Sequence, residues 1–203
     1  MPYSSEHKAQ TRERIVGAAR RLFNRHGFEQ VSIERIMSEA GLTRGGFYHH
    51  FGSKDELYAA AVASFTRCNP FRANLKDDPP PAPGELARIL LDVYLSDKVF
   101  DDVDFHCPLY ALPGDVARAG LAPQKAYTQL IRNLTQVYSS ALAGVPDGEQ
   151  RAQAIVALCV GGMVLARTTD DAALRRSLRV AARRQALALL SADDQCGIRP
   201  VCE

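Results

Sequence analysis

Two stretches of this chain carry residues that can do chemistry. The first is Thr43-Arg44-Gly45-Gly46-Phe47-Tyr48-His49-His50-Phe51. Threonine can cap a helix start by accepting the free backbone N–H groups there. The next three residues put a guanidinium and two glycines at the tip, with Tyr48, His49 and His50 behind. Such a front end suits the DNA major groove, where arginine can pair with guanine or phosphate and glycine lets backbone approach closely. The second stretch is Phe105-His106-Cys107-Pro108-Leu109-Tyr110. A thiol beside a histidine is activated if the imidazole is protonated or acts as base, and a following proline can open a helix whose dipole favours the thiolate. The alternative for Cys107 is a buried, inert thiol in an apolar wall.

The bulk composition limits what such groups can serve. The chain has 203 residues, 46% of them hydrophobic, no tryptophan and a net charge of only +2. The charge is uneven. Residues 1–54 hold nine Lys/Arg against five acids, or +4, so the remainder sums to −2. A basic end on a near-neutral body fits nucleic-acid binding by that end, and equally a solvated surface. The first residues have no apolar leader, and no uninterrupted apolar run reaches the ~18 residues of a membrane span. Cytoplasmic placement and no membrane partner are therefore expected. The cysteines (Cys68, Cys107, Cys159, Cys196, Cys202) are scattered without a zinc-ligand spacing, so no metal and no cofactor is expected. No Ser-His-Asp signature, phosphate loop or paired-carboxylate motif points to catalysis. The enzyme alternative is a peroxidase-like use of Cys107.

The elements that must position these residues all read as helices. Ile15, Ala18, Ala19, Leu22 and Phe23 form one apolar stripe over His7–His26, with residues 1–6 a tail. Gly27 stops that helix and Phe28 packs back on it. Ser32 opens a second helix with Ile33, Ile36 and Met37 inward, and Gly41 ends it. Ser53 with Glu56 three residues on has capping-box spacing for a fourth helix, lined by Leu57, Ala61, Ser64 and Phe65. A proline-rich connector over residues 79–84 precedes a helix over Glu85–Leu95, and residues 97–104 read as acidic and irregular. Long helices are expected over Pro123–Ala143, Glu149–Thr168 and Ala172–Leu190. Nothing alternates with period two. The chain reads as all-α.

The N-terminal pattern resembles the TetR family of bacterial transcriptional repressors. The matching residues are Thr11–Ile15, Ala18–Phe23, Gly27-Phe28, Ser32-Ile33, Ile36–Phe51 and Ser53–Leu57. The resemblance implies a three-helix helix-turn-helix DNA-binding domain (1–52) and a C-terminal helical ligand-sensing and dimerisation domain (53–203). It also implies a homodimer that binds a palindromic double-stranded operator. Carried onto this chain, it assigns the DNA surface to Thr43, Arg44, Gly45, Tyr48 and His49. Ser32 and Lys54 would hold the DNA backbone, while Phe47 and Phe51 pack inside. The Cys107 stretch resembles, more locally, the branch of the family that senses oxidants or electrophiles. The rival input is reversible binding of an apolar small molecule, for which Tyr94, Phe105, Tyr110, Tyr127, Ile131, Cys159 and Met163 are candidate lining and Arg167 a candidate partner for an acidic group. The dimer is expected on the last two helices, through Gly161, Gly162, Leu174, Leu178, Ala182 and Gln185. The glycine pair there allows close backbone approach at a cost of about 1 kcal/mol of helix stability per glycine relative to alanine.

Overall fold

A computed structural model of the chain describes residues 5–67 and 80–191. Residues 1–4 of the expected tail, Pro79, Cys68, Cys196 and Cys202 lie outside them, while Ser5 and Glu6 are already helical. Among the described residues every regular element is a helix: α1 (Ser5–His26), α2 (Ile33–Glu39), α3 (Lys54–Arg67), α4 (Pro83–Tyr94), α5 (Asp97–Asp101), α6 (Pro108–Ala111), α7 (Pro113–Arg118), α8 (Leu121–Ala141), α9 (Gly148–Thr168) and α10 (Ala172–Ser191), with 3₁₀ segments at Arg44–His49 and Val103–Phe105. Packing divides them into two units. One holds 5–67, 80 and 96–134, the other 81–95 and 135–191. These packing boundaries fall elsewhere than the division 1–52 and 53–203 expected from the sequence.

In the first unit the apolar stripe of α1 is fully buried at Ile15, Ala18, Ala19 and Phe23. Gly27 ends the helix at φ 75°, its N–H bonded to the Phe23 carbonyl at 2.8 Å. A side chain rarely tolerates that backbone, which is why glycine stands here. The chain then turns so that Phe28 meets Phe23 and Tyr58, with ring centroids 5.7 and 4.6 Å away. Ser32 caps α2, accepting the Arg35 N–H at 3.1 Å. Gly41, at φ 66°, turns the chain out of it. Arg14 closes the same corner by donating to the Ala40 carbonyl at 2.7 Å. Ser53 caps α3 by accepting the Glu56 N–H, and Glu56 reaches back to the Gly52 N–H at 2.7 Å. The reciprocal pair differs from the simple capping box only in the residue that donates. Residues 97–104 are not irregular as the sequence suggested. Ser96 accepts the Val99 N–H and starts α5, and a 3₁₀ turn follows.

In the second unit α9 and α10 form an antiparallel-type hairpin around Asp171, whose carboxylate takes the Ala173 and Leu174 N–H groups at 2.8 and 3.0 Å. Ile155, Cys159, Met163, Ala166 and Ala186 have no exposed surface. A Cβ on Gly162 would stand 2.7 Å from that of Ala182, whereas one on Gly161 would meet nothing within 4 Å. The close approach allowed by the glycine pair is thus made within one chain, and by Gly162 alone. Arg179 is buried and donates to the Leu95 carbonyl at the end of α4. By length and composition α9 could cross a membrane, but its buried residues, Ala152 to Ala166, pack inside this unit as in the core helix of a globular protein.

Candidate nucleic-acid interface

The stretch Arg44–His49 is a 3₁₀ helix and not the capped α-helix the sequence suggested. Thr43 occupies the N-cap position, but its hydroxyl makes no capping bond; the Gly46 N–H bonds the Thr43 backbone carbonyl at 3.1 Å instead. Six residues with a glycine pair near the start hold too little helix propensity to settle the wider turn, and short 3₁₀ runs are the usual outcome. The segment has a clear inner side. Phe47 is fully buried, stacked on Phe51 with centroids 5.8 Å apart, and Gly46 lies against the Met37 side chain. Its outer side carries Arg44, Gly45, Tyr48 and His49, all exposed, with Tyr48 at 64%. A Cβ added at Gly45 would meet nothing within 4 Å, so the backbone is bare at the tip. A guanidinium, a phenol, an imidazole and open backbone on a rigid apolar base make a surface able to hydrogen-bond base edges and phosphates.

Two of the assigned residues stand apart from this tip. Ser32 is exposed but its hydroxyl is occupied at the start of α2. Lys54 is part-buried, its ammonium 2.6 Å from the Phe28 carbonyl and 4.1 Å over the Phe28 ring. Burial lowers its pKa, opposed by the charges of Glu29, Asp55 and Asp115. The other side of the same turn is held as well, since Asp115 accepts the Phe28 N–H at 3.0 Å.

Sequence reasoning passed over a group of cations beside the tip. The Arg12 guanidinium lies 4.5 Å over the Phe51 ring. His50, half-buried, has its charged form disfavoured by burial first and then by Lys8, His49 and Arg12. The i, i+4 spacing of Lys8 and Arg12 on α1 was the available signal, because it puts both on one face.

The Phe105–Tyr110 segment is arranged differently. Cys107 is a buried thiol at the N-cap of α6, which Pro108 opens and which runs for only four residues. His106 is also buried, and its Nε2 donates to the Phe100 carbonyl at 2.9 Å. Tyr110 is buried with its ring 5.1 Å from that of His106. Tyr127 donates to the Leu109 carbonyl at 2.6 Å, and its pKa is pushed up to about 12, by burial first and then by Cys107. Phe105 and Ile131, expected as lining, are exposed at 44% and 40%. The segment is strapped to α1. Buried Asn24 donates to the carbonyls of His106 and Asp104 at 3.1 and 3.4 Å, and Arg25 grips the Asp104 carboxylate with two bonds of 2.6 and 2.7 Å. Arg20 lies over the Phe105 ring.

Of the remaining assigned residues, Tyr94, Cys159, Met163 and Arg167 belong to the other unit, the first three buried and Arg167 part-buried. Burial pushes the Cys159 thiol up to about 12, with a hydrogen bond from Tyr138 acting against it. Leu174 and Gln185 are exposed, Leu178 and Gly161 part-buried, and Gly162 and Ala182 buried. Among the described residues no three His, Cys, Asp or Glu side chains are grouped to hold a metal ion.

Residues 15–61 match the family model described as bacterial regulatory proteins, tetR family. The matched span contains α1 from Ile15 onward, α2, the Arg44–His49 segment and the start of α3. The HTH-type transcriptional repressor AcnR of Corynebacterium glutamicum is 40% identical over 50 residues, 25% of this chain and 27% of that protein. The HTH-type transcriptional repressor Rv1474c of Mycobacterium tuberculosis is 37% identical over 63 residues, 31% of this chain and 34% of that protein. The chain therefore spans about a third or less of these relatives' length. A longer alignment, 28% identical over 79% of this chain and 85% of the relative, joins it to an uncharacterised HTH-type regulator of Lactococcus lactis. Among solved structures, reduced NemR of Escherichia coli superimposes with a TM-score of 0.72 at 17% identity over 87% of this chain and 95% of that one. A TetR-family regulator of Agrobacterium tumefaciens gives 0.70 at 19% over 88% and 98%. At these identities the superpositions speak for the fold, an N-terminal helix-turn-helix followed by helices. The matched N-terminal span is that of the tetR family of bacterial regulatory proteins, and the chain shares its helical architecture with solved regulators of that family.

Proposed function

We propose that the chain is a DNA-binding transcriptional repressor that binds a palindromic operator as a homodimer in the cytoplasm. The observation that carries this reading is the outer side of Arg44–His49, where Arg44, Gly45, Tyr48 and His49 stand exposed on a buried Phe47 base. Arg44 reads guanine or holds phosphate, Tyr48 and His49 hold phosphates, and Thr43 and Ser32 border the same surface. Lys54 reaches the backbone only if it shares or leaves its bond to Phe28. In the homodimer, exposed Leu165, Leu174 and Val180 supply apolar surface on α9 and α10, with Leu178, Gly161 and Gln185 beside them. A two-fold dimer presents two recognition segments and so selects a two-fold site. Selection of bound duplexes from a random-sequence pool tests this. A palindromic consensus is expected; enrichment of no sequence, or recovery of a monomer at micromolar concentration, contradicts it.

The input is a small molecule or modification of Cys107. NemR of Escherichia coli, which shares this fold, was solved in a reduced form, and that likeness favours the cysteine reading. Burial of Cys107 means that a reagent must first open the segment held by Asn24 and Tyr127. If Cys107 is the sensor, oxidant releases the selected duplex from the wild type and not from Cys107→Ser. Equal release from both points to another oxidisable group, and release from neither leaves reversible ligand binding as the input. A peroxidase-like enzyme would instead turn over peroxide many times per chain.

A further inference from the structure

Phe28, between α1 and α2, is held at its N–H, its carbonyl and its ring by three different elements. The Asp115 carboxylate of α7 accepts its N–H at 3.0 Å. Its carbonyl accepts from the Lys54 ammonium of α3 at 2.6 Å. Its ring lies 4.1 Å from that same ammonium and packs on the rings of Phe23 from α1 and Tyr58 from α3. Opposite charges thus close on the two polar groups of one residue's backbone, each through a charge-assisted hydrogen bond. Gly27 leaves room for the acid, since a Cβ there would stand 3.1 Å from Asp115 Oδ2. The Phe28 carbonyl also takes the Val31 N–H at 3.4 Å, and the next residue, Ser32, caps α2. The path of the chain into α2 is therefore set at Phe28. α2 in turn supports the recognition segment, where Gly46 lies against Met37.

Lys54 is poorly placed to grip a phosphate. It is part-buried, and its ammonium is engaged by both the carbonyl and the ring of Phe28. A lysine that meets an outside anion keeps its charged end in water on a free stem. We propose that Lys54 is a positioning residue that acts on DNA binding through Phe28 and not on a phosphate, and that Asp115 acts with it from the other side, the two fixing α2 and the Arg44–His49 segment in the orientation that reads bases. The inference rests on the DNA-binding reading. It gives Lys54 a different role from the one the family likeness assigns, and it adds Asp115, an acid, to the residues on which base reading depends.

Fluorescence anisotropy with the duplex selected by the wild type, and with a random-sequence duplex of the same length, separates the roles. Lys54→Met keeps the stem and removes the charge. It should bind the selected duplex about tenfold more weakly, on the scale of one hydrogen bond from a charged donor. Its affinity for the random duplex, and its slope of log affinity against log salt, should stay as in the wild type. A lysine on a phosphate would instead weaken both duplexes and reduce that slope by about 0.9, which would overturn the proposal. A variant that had only lost stability would keep the wild-type ratio of selected to random affinity, so an unchanged ratio overturns it as well. Asp115→Ala tests the other arm with the opposite sign. Removing a negative charge should by charge alone tighten DNA binding. Loss of the hold on Phe28 should instead weaken binding of the selected duplex, again by about tenfold. Asp115→Asn, which keeps an oxygen for the Phe28 N–H, should bind at least as tightly as the wild type. Tighter binding of the selected duplex by Asp115→Ala would overturn the proposal. Thermal melts check folding, and if Lys54→Met does not fold, Lys54→Gln carries the same comparison. If the wild type binds neither duplex at any salt, the DNA-binding reading fails and this proposal with it.

Discussion

The recognition segment and the Cys107 segment belong to one packing unit, and they treat their reactive side chains in opposite ways. On Arg44–His49 the aromatic anchor is buried while Arg44, Tyr48 and His49 face solvent. On Phe105–Tyr110 the thiol, the imidazole and the phenol are buried and Phe105 is the exposed one. A surface that must meet a partner keeps its polar groups outside on a rigid base. A segment built to be opened, or simply to pack, keeps them inside. The difference teaches that residue type alone does not say which groups are available. The side that each element buries decides it.

The comparison can be broken from either end. Phe47→Ala removes the anchor under the recognition segment. A fully buried Phe truncated to Ala should cost about 3–5 kcal/mol, seen as a lowered denaturation midpoint, and DNA affinity should fall with it. A smaller effect is expected at the strap. Asn24→Ala takes a donor from the buried His106 carbonyl and the part-buried Asp104 carbonyl and should cost about 1–3 kcal/mol by the same assay. It should also speed labelling of Cys107 by a thiol reagent; an unchanged labelling rate would mean that the strap does not hold that segment shut. Away from both segments, Gly162→Ala drives a Cβ into Ala182 and should destabilise by about 1–3 kcal/mol. Gly161→Ala, with open space, should be neutral or gain about 0.5–1 kcal/mol. The smallest signal is a null: Cys159, with its thiol pushed up to about 12, should stay unlabelled in the native protein at neutral pH.

What was legible in the sequence was local. The stops at Gly27 and Gly41, the caps at Ser32 and Ser53, and the buried stripe of α1 all follow from residues within a turn or two of one another, and the structure places them as expected. What was not legible depended on distant partners or on small balances. Asn24 meets carbonyls at Asp104 and His106, and Lys54 meets Phe28, contacts that no helical spacing announces. The 3₁₀ form of Arg44–His49 turns on a glycine pair that weakens a helix already short. The short helix at Asp97–Asp101 was hidden by its acidic composition, although Ser96 stood ready as its cap. Gly162 announced a close approach without saying between which helices.

The central claim is that the exposed side of Arg44–His49 makes the specific DNA contact. The direct measurement is the affinity of wild type and of Arg44→Ala/Tyr48→Ala for the duplex selected by the wild type, at one salt concentration. Each side chain lost from a specific contact is worth about 1–3 kcal/mol, so the double variant should bind at least about 30-fold more weakly while melting as the wild type does. A double variant that folds normally and binds that duplex as tightly as the wild type would contradict the account.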